Sequence, residues 1–272
     1  MSLCVGQIMQ WCEELAPTAW AAEWDNVGLQ TGSSADPAAP VMTCLTLTQK
    51  VLDQAISAGA KTLICHHPPL WRPLASLRDN PVTGLLLQAV RAHIAIYACH
   101  TNLDVAPNGA GEWLGRALNL EHMAPLAPVD SGNMPVSAGY GRVGMLPAKI
   151  SSFAFIDYLS HALSPTQLQQ AGPVPKFVQK VAALNGSGAE YINMAADSGA
   201  DVYVTGDVKF HDAELAWRYG LWVIDAGHFA TEAMIPTKLA AYMRNKADKA
   251  GMQIVVSAAL EKDLLLPPIY CI

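Results

Sequence analysis

The sequence predicts an α/β fold made of two similar halves. Apolar segments alternate with segments of helical period, and one strand-and-helix pattern occurs twice. The composition also changes to proline, glycine and serine near the middle of the chain. A length of 272 residues suits about two domains or one large one. We expect the first half to comprise residues 1–125, joined by the C-terminal segment 230–272, and the second half to comprise 126–229.

Strands and helices alternate in both halves. The first half predicts strands at 42–48, 61–65 and 94–99, with helices at 50–59 and 81–92 between them. The second half predicts helices at 151–163 and 188–200 and strands at 180–186, 201–206 and 221–227. Between Pro125 and Pro147 the sequence predicts a connector with one or two short strands.

Composition and charge exclude several classes of protein. Hydrophobic residues make up 51% of the chain and charged residues 15%, which is typical of a folded protein and not of a disordered one. The formal net charge is −6 and there is no basic run, so nucleic acid is not expected as the principal partner. No segment of about 20 residues is apolar enough to span a membrane, and the N-terminal segment does not resemble a signal peptide.

The cysteines and the apolar composition add two expectations. The six cysteines have no C-x-x-C spacing, which predicts reduced thiols in a cytoplasmic protein. The low charge content favours a homo-oligomer that buries apolar surface between subunits.

An internal repeat is the most informative feature of the sequence. Residues 54–67 lie over residues 194–207 at a constant offset of 140. His100 and Asp104 correspond to His228 and Glu232 at an offset of 128. A histidine followed four residues later by a carboxylate, at the exit of an apolar strand, therefore occurs once in each half. The pattern favours a duplication; the alternative is a chance match of two common local patterns.

Polar residues gather where the predicted parallel strands end, which is where α/β sheets bind ligands. Five of these residues form a set of three imidazoles and two carboxylates: His66, His67, Asp104, His228 and Glu232. Such a set suits a borderline divalent ion such as Zn, Mn, Fe, Co or Ni, and it is large enough for two ions.

The alternative interpretation of each histidine is a hydrogen-bonded residue without a metal. We expect that for His93, His122 and His161. Two adjacent imidazoles between an apolar strand and two prolines have little structural purpose, so His66 and His67 are better explained as ligands.

Several other polar residues have structural explanations. Asp25 and Asn26 are typical of a turn, with support of the site as the alternative. Asp207 is predicted to cap the helix that follows it. Residues 185–188 predict a plain turn, with an anion held by the backbone amides as the alternative. Cys65 and Cys99 are predicted to pack in the core.

The chain resembles the NIF3-like family, also named GTP cyclohydrolase 1 type 2 homologs. Five blocks in the family's order carry the resemblance: WDNVGLQTG at 24–32, ICHHP at 64–68, HTNLD at 100–104, TGDVKFHDA at 205–213 and DAGHFATE at 225–232. The resemblance implies a dinuclear metal centre between two similar α/β domains, in a toroidal homohexamer. The family's ligand pattern falls on the same five residues.

The resemblance also marks further residues and some limits. His100 and His211 match family histidines near the site, as supporting or substrate-facing residues. The segment after His67 follows one of several variants, so no substrate contact is assigned to Trp71 or Arg72. The chain lacks room for the inserted domain of longer members.

The residue set predicts a metal-dependent hydrolase with His100 as general acid or base, and the resemblance implies a nucleotide such as GTP as its substrate. One alternative is a metal-binding structural or regulatory assembly protein without turnover. Another is a metal-dependent phosphoesterase, which would use the same ions on a different bond.

Overall fold

The computed structural model describes residues 3–81, 83–129 and 134–265. Within these ranges the chain forms two compact units. The first unit contains the chain up to Leu103 together with Ile235–Glu261. The second contains Asp104–Met234 and the residues from Lys262 onward. The chain thus enters the second unit before the composition change at Pro125, because the strands that contain this change belong to the second unit's sheet.

The described residues form eleven strands and ten α-helices. The strands are β1 (Gly28–Thr31), β2 (Val41–Cys44), β3 (Thr62–Cys65), β4 (Ala95–Ala98), β5 (Glu121–Pro128), β6 (Gly139–Ser151), β7 (Gln169–Ala171), β8 (Phe177–Ser187), β9 (Val202–Gly206), β10 (Trp222–Asp225) and β11 (Val256–Ala258). The helices are α1 (Val5–Leu15), α2 (Gln49–Ser57), α3 (Gly84–Arg91), α4 (Thr101–Val105), α5 (Ala110–Ala117), α6 (Ser152–Leu163), α7 (Ile192–Asp197), α8 (Phe210–Tyr219), α9 (His228–Glu232) and α10 (Ile235–Lys249). Among the described helices, none has both the length and the apolar character needed to cross a membrane.

The first unit is built on a five-stranded sheet in the order β1-β4-β3-β2-β11. Strands β4, β3, β2 and β11 are parallel, and β1 pairs antiparallel with β4 at one edge. Every residue of β2, β3 and β4 is buried. Continuous apolar strands are expected where helices cover both faces of a parallel sheet, which is why these segments were recognisable from the sequence.

The second unit is built on a six-stranded sheet in the order β5-β6-β8-β9-β10-β7. Strands β8, β9 and β10 are parallel and the other pairs are antiparallel. Its core packs Phe155, Val181 and Trp222.

The segment 125–147 contains much longer strands than the sequence predicts. Residues 125–128 belong to β5 and residues 139–147 to the thirteen-residue β6, with residues 130–133 between them outside the described residues. Pro125 is tolerated because β5 is an edge strand. Pro147 lies where the pairing of β6 with β8 changes register, and a proline needs no ladder partner there.

The two sheets contain the same arrangement of four strands. The order β1-β4-β3-β2 in the first unit corresponds to β7-β10-β9-β8 in the second, with three parallel strands and an antiparallel edge strand in each. Helices follow the parallel strands in the same chain order. Gly59 and Gly199 both have positive φ, +64° and +72°, just after the corresponding helices α2 and α7. The sequence repeat therefore corresponds to a repeat of topology.

Candidate metal centre

Three imidazoles lie at the carboxyl ends of β3 and β4 in the first unit. His66 and His67 follow β3, and His100 follows β4, its parallel neighbour. The ring centroid of His66 lies 5.1 Å from the centroid of His67 and 5.1 Å from that of His100. The centroids of His67 and His100 are 5.6 Å apart. One nitrogen from each ring lies within 4.8 Å of the others. Three imidazoles at this spacing could hold a metal ion.

Hydrogen bonds at Nδ1 orient the first two rings. Nδ1 of His66 lies 2.8 Å from the carbonyl oxygen of Cys99. A carbonyl only accepts, so Nδ1 of this buried ring is the donor, and Nε2 is the nitrogen that would coordinate a metal. Nδ1 of His67 is hydrogen-bonded to Oγ1 of Thr46, at 2.7 Å. Metal-binding histidines are held in this way, with the nitrogen that does not coordinate bonded to an oxygen.

Asp25 orients His100. Nδ1 of His100 donates to Oδ2 of Asp25 at 2.9 Å, and Thr101 donates to the same oxygen through N at 3.1 Å and Oγ1 at 2.6 Å. Burial by itself raises the pKa of Asp25, but the hydrogen bonds from His100 and Thr101 outweigh it and lower the pKa to about 2. Asp25 also accepts a bond from Asn26 N within the predicted turn. The contacts of Oδ2 therefore favour the alternative role for Asp25, which is to support the site.

His228 and Glu232 lie on one face of α9 in the second unit. Nε2 of His228 is 3.2 Å from Oε2 of Glu232. Helix α9 begins at His228, directly after Gly227 with its φ of +90°. Helix α9 has only five residues, and the next helix begins at Ile235, just before Pro236.

Asp207 is a partner of His228 and not a helix cap. Oδ2 of Asp207 accepts a hydrogen bond from Nδ1 of His228 at 2.7 Å. The predicted cap is wrong, because α8 begins only at Phe210 and Lys209 occupies its N-cap position. The hydrogen bond from His228 lowers the pKa of Asp207 against the opposing effect of burial. Burial lowers the pKa of His228, but hydrogen bonds and charges from Asp207 and Glu232 raise it to about 10.

Asn185 is hydrogen-bonded to both of the predicted carboxylate ligands, Asp104 and Glu232. Its Nδ2 donates to Oδ1 of Asp104 at 2.8 Å and to Oε1 of Glu232 at 3.3 Å. The predicted plain turn over 185–188 is wrong here, because Asn185 and Gly186 lie within β8. Asn185 could have been recognised as a residue of the site, because it follows the apolar run of a strand, as the predicted ligands do. No such pattern in the sequence indicated Thr46.

Close packing surrounds Glu232. Gly186 has a φ of +65°, and a Cβ at this position would lie 2.4 Å from Oε1 of Glu232 and 3.2 Å from Nε2 of His228. Oγ1 of Thr231 accepts a bond from Gly186 N at 2.9 Å. The chain thus leaves room for the His228 and Glu232 side chains only because residue 186 has no side chain of its own.

The five predicted ligands divide between the two units. His66 and His67 belong to the first unit, and Asp104, His228 and Glu232 belong to the second. The imidazole group of the first unit has donor atoms that suit a borderline divalent ion, and so does the imidazole–carboxylate group of the second.

The remaining histidines lie on the surface. His211 is exposed in α8, with Nδ1 3.7 Å from Oε2 of Glu214. His93, His122 and His161 are exposed as well. Cys65 and Cys99 are buried, as predicted, and Cys99 additionally supplies the carbonyl that orients His66.

Comparison with known proteins identifies the family of this chain. A family model for Duf34/NIF3 (NGG1p interacting factor 3) matches residues 3–262. The chain belongs to the Duf34/NIF3 family. A relative from Nostoc is 34% identical over 210 residues, which cover 76% of this chain and 78% of the relative. A relative from Bacillus subtilis is 28% identical, with 92% of this chain and 95% of the relative covered. Both carry the name GTP cyclohydrolase 1 type 2 homolog.

Solved structures of the family have the same fold. A Bacillus cereus protein related to NIF3 superposes with a TM-score of 0.90 at 25% identity, covering 97% of this chain and 99% of that one. Reduced HcgD from Methanocaldococcus jannaschii superposes with a TM-score of 0.78 at 27% identity, covering 95% of this chain and 98% of that one. These matches support the predicted α/β fold with two sheets.

Proposed function

We propose that this family member is a metal-dependent hydrolase in which His66, His67, Asp104, His228 and Glu232 hold two divalent ions. One observation carries the proposal: each imidazole of this set has its Nδ1 bonded to an oxygen. The oxygens belong to Cys99, Thr46 and Asp207. In metal-binding histidines the other ring nitrogen is the ligand, so Nε2 of each ring would bind the metal; Nε2 of His228 lies 3.2 Å from Oε2 of Glu232, which is itself a proposed ligand. Zn, Mn, Fe, Co and Ni all suit such a donor set.

The residues around the imidazole group have distinct roles in the proposed reaction. Bound divalent ions would supply a water of lowered pKa as nucleophile and would polarise the bond that is cleaved. His100 takes or returns a proton through Nε2, since its Nδ1 is held by Asp25. The Asp25 carboxylate also keeps the ring in one orientation throughout.

A nucleotide is the proposed substrate class, with GTP opened at its base as the specific case. The names of the Nostoc and Bacillus subtilis relatives support this substrate. The net charge of −6 supports a small nucleotide over a polynucleotide. We further propose a homohexamer, which the family resemblance implies and the low charge content favours as an oligomer. We propose a cytoplasmic location because the cysteines have no C-x-x-C spacing.

Elemental analysis of purified protein at known protomer concentration tests the metal set first. We expect about two ions per protomer in the wild type and a clear loss in His66→Ala and in Glu232→Gln. His93→Ala is the control, because His93 is an exposed histidine of the first unit. Full metal content in both ligand variants would overturn the proposed set.

Turnover is then measured with GTP and with a panel of phosphoesters. Metal-dependent opening of GTP supports the proposed reaction, and cleavage of a phosphoester alone would replace it with a phosphoesterase. Two ions with no turnover on any substrate would favour a structural or regulatory role for the metal centre.

A further inference from the structure

Two exposed tryptophans stack on each other beside His100. The ring centroids of Trp24 and Trp71 are 6.2 Å apart and the planes differ by only 14°. Trp24 is 64% exposed and Trp71 is 50% exposed. The centroid of His100 lies 5.2 Å from that of Trp71 at an interplanar angle of 87°, and 6.0 Å from that of Trp24 at 73°. The pair therefore presents a wide aromatic surface in edge contact with the proposed acid–base residue.

The chain holds this pair in place by contacts on both sides. Asn26 follows Trp24, and its Nδ2 donates to the carbonyl of Leu70, the residue before Trp71. Asp25 bonds His100 directly. Three consecutive residues thus have separate tasks: Trp24 stacks, Asp25 orients His100, and Asn26 ties the turn to the segment that carries Trp71. A stack fixed in this way is built into the unit and is not a chance meeting of two surface side chains.

The position of the stack relates it to the proposed reaction. His100, which contacts both tryptophans, also packs against His66, with ring centroids 5.1 Å apart. A planar group stacked on the tryptophans would therefore be separated from His66, a proposed metal ligand, only by the ring of His100. Large exposed aromatic surfaces at such a place are typical of ligand recognition, because leaving two indoles in water is unfavourable.

We propose that Trp24 and Trp71 form the subsite that stacks a planar heteroaromatic ring of the substrate, of the purine type. This inference rests on the proposed function for the chemistry at His100, and it adds the residues that select the substrate. Stacking of a base on aromatic side chains is favourable for any base and does not require a particular pattern of hydrogen bonds. Selection at this subsite is therefore for flatness and aromaticity, with the bond to be cleaved near His100.

Direct binding measurements on the metal-loaded protein test the subsite. Guanosine monophosphate is the probe, and ribose 5-phosphate is the matched ligand that lacks a base. We expect Trp24→Ala and Trp71→Ala each to weaken binding of guanosine monophosphate by about 5- to 150-fold and to leave binding of ribose 5-phosphate unchanged. Trp71→Phe should retain most of the affinity, because it keeps an aromatic face.

Trp217→Ala is the control variant. Trp217 lies in α8 of the second unit and is 64% exposed, equal to Trp24. Removing it tests the general effect of losing an exposed indole. Unchanged affinity for guanosine monophosphate in both Trp24→Ala and Trp71→Ala would overturn the subsite, and so would an equal loss for ribose 5-phosphate or an equal loss in Trp217→Ala.

Two further readouts separate this inference from the proposed hydrolase. Metal content should be the same in all tryptophan variants, because neither indole is a donor. Weaker base binding in the variants of a protein that turns over nothing would keep the subsite and remove the hydrolase. Unaltered GTP turnover in the variants would remove the subsite and keep the hydrolase. A changed oligomeric mass in Trp71→Ala with unchanged base affinity would assign the pair to a contact between copies and overturn the subsite.

Discussion

Asp207 accepts a hydrogen bond from Nδ1 of His228 at 2.7 Å. Asp25 holds Nδ1 of His100 in the same way in the first unit, at 2.9 Å. Because His100 and His228 correspond in the repeat, each half of the protein contains a histidine at a strand exit that is oriented by a carboxylate. Asp25 and Asp207 do not occupy corresponding positions in the repeat, so the two histidines are oriented in the same way by residues that do not correspond.

Replacing Asp207 by Asn should weaken metal binding without removing a ligand. Loss of the carboxylate leaves the His228 ring less well oriented and less basic, and such changes weaken metal affinity by about 10- to 100-fold. Titration of metal-free protein with Zn²⁺ or Mn²⁺ measures the effect. Asp212→Asn is the control, since Asp212 caps the nearby start of α8 through Lys209 N. Equal affinities in Asp207→Asn and wild type would contradict the assigned role.

A methyl group at residue 186 should disrupt the His228–Glu232 pair. The Cβ of Gly186→Ala would lie 2.4 Å from Oε1 of Glu232, at a backbone φ of +65°. We expect loss of metal and a lower midpoint of thermal unfolding. Gly220→Ala separates the two causes, because Gly220 has the same φ of +65° and no atom within 4 Å of its Cβ position. If both variants lose metal equally, backbone strain and not the contact with Glu232 is responsible.

The Asp25→Asn variant should lower turnover while keeping the metal. Asp25 contacts His100, which is proposed to move protons, and it does not belong to the proposed ligand set. We expect kcat to fall by about 10-fold or more, since general acid–base groups contribute about 10²- to 10⁴-fold when correctly placed. Steady-state kinetics and elemental analysis on the same preparation check this. Asp36→Asn, in an exposed turn of the same unit, is the control. Metal loss in Asp25→Asn would contradict the proposed role and would place His100 among the ligands.

Arg142 should be a major determinant of the stability of the second unit. Its buried guanidinium donates to the carbonyls of Gly139, Gly141, Ala106 and Pro107, and it pairs with Glu112 at 3.3 Å. Burial lowers the pKa of Arg142, while the bond to Glu112 acts in the opposite direction. Breaking such a buried pair costs about 3–5 kcal/mol. Arg142→Ala should therefore lower the free energy of unfolding by that amount in urea denaturation.

Arg116 provides the matched control for Arg142. It is exposed and pairs with the same carboxylate, Glu112, at 2.9 Å. Exposed pairs contribute about 0–1 kcal/mol, so Arg116→Ala should change the unfolding free energy by no more than that. Similar losses in the two variants would show that burial of Arg142 is not what makes it important.

The prediction of secondary structure from the sequence succeeded where the signal was local. The predicted helix at 151–163 is α6, and the predicted strand at 61–65 contains β3. Hydrophobic period is a property of a few neighbouring residues and survives folding unchanged. The segment 125–147 was harder, because its prolines and glycines are typical of loops, and only the pairing partners of β5 and β6 make it sheet.

The sequence by itself determined the α/β class, the repeat, and five residues with the right chemistry for divalent ions. The tertiary structure decided what surrounds them. His100 meets Asp25 from 75 positions away, and Asp104 meets Asn185 from 81. Residue type and spacing identify a donor, since donors are few and cluster at strand exits. The orientation of a donor depends on hydrogen bonds to distant segments, which exist only after the sheets have brought those segments together.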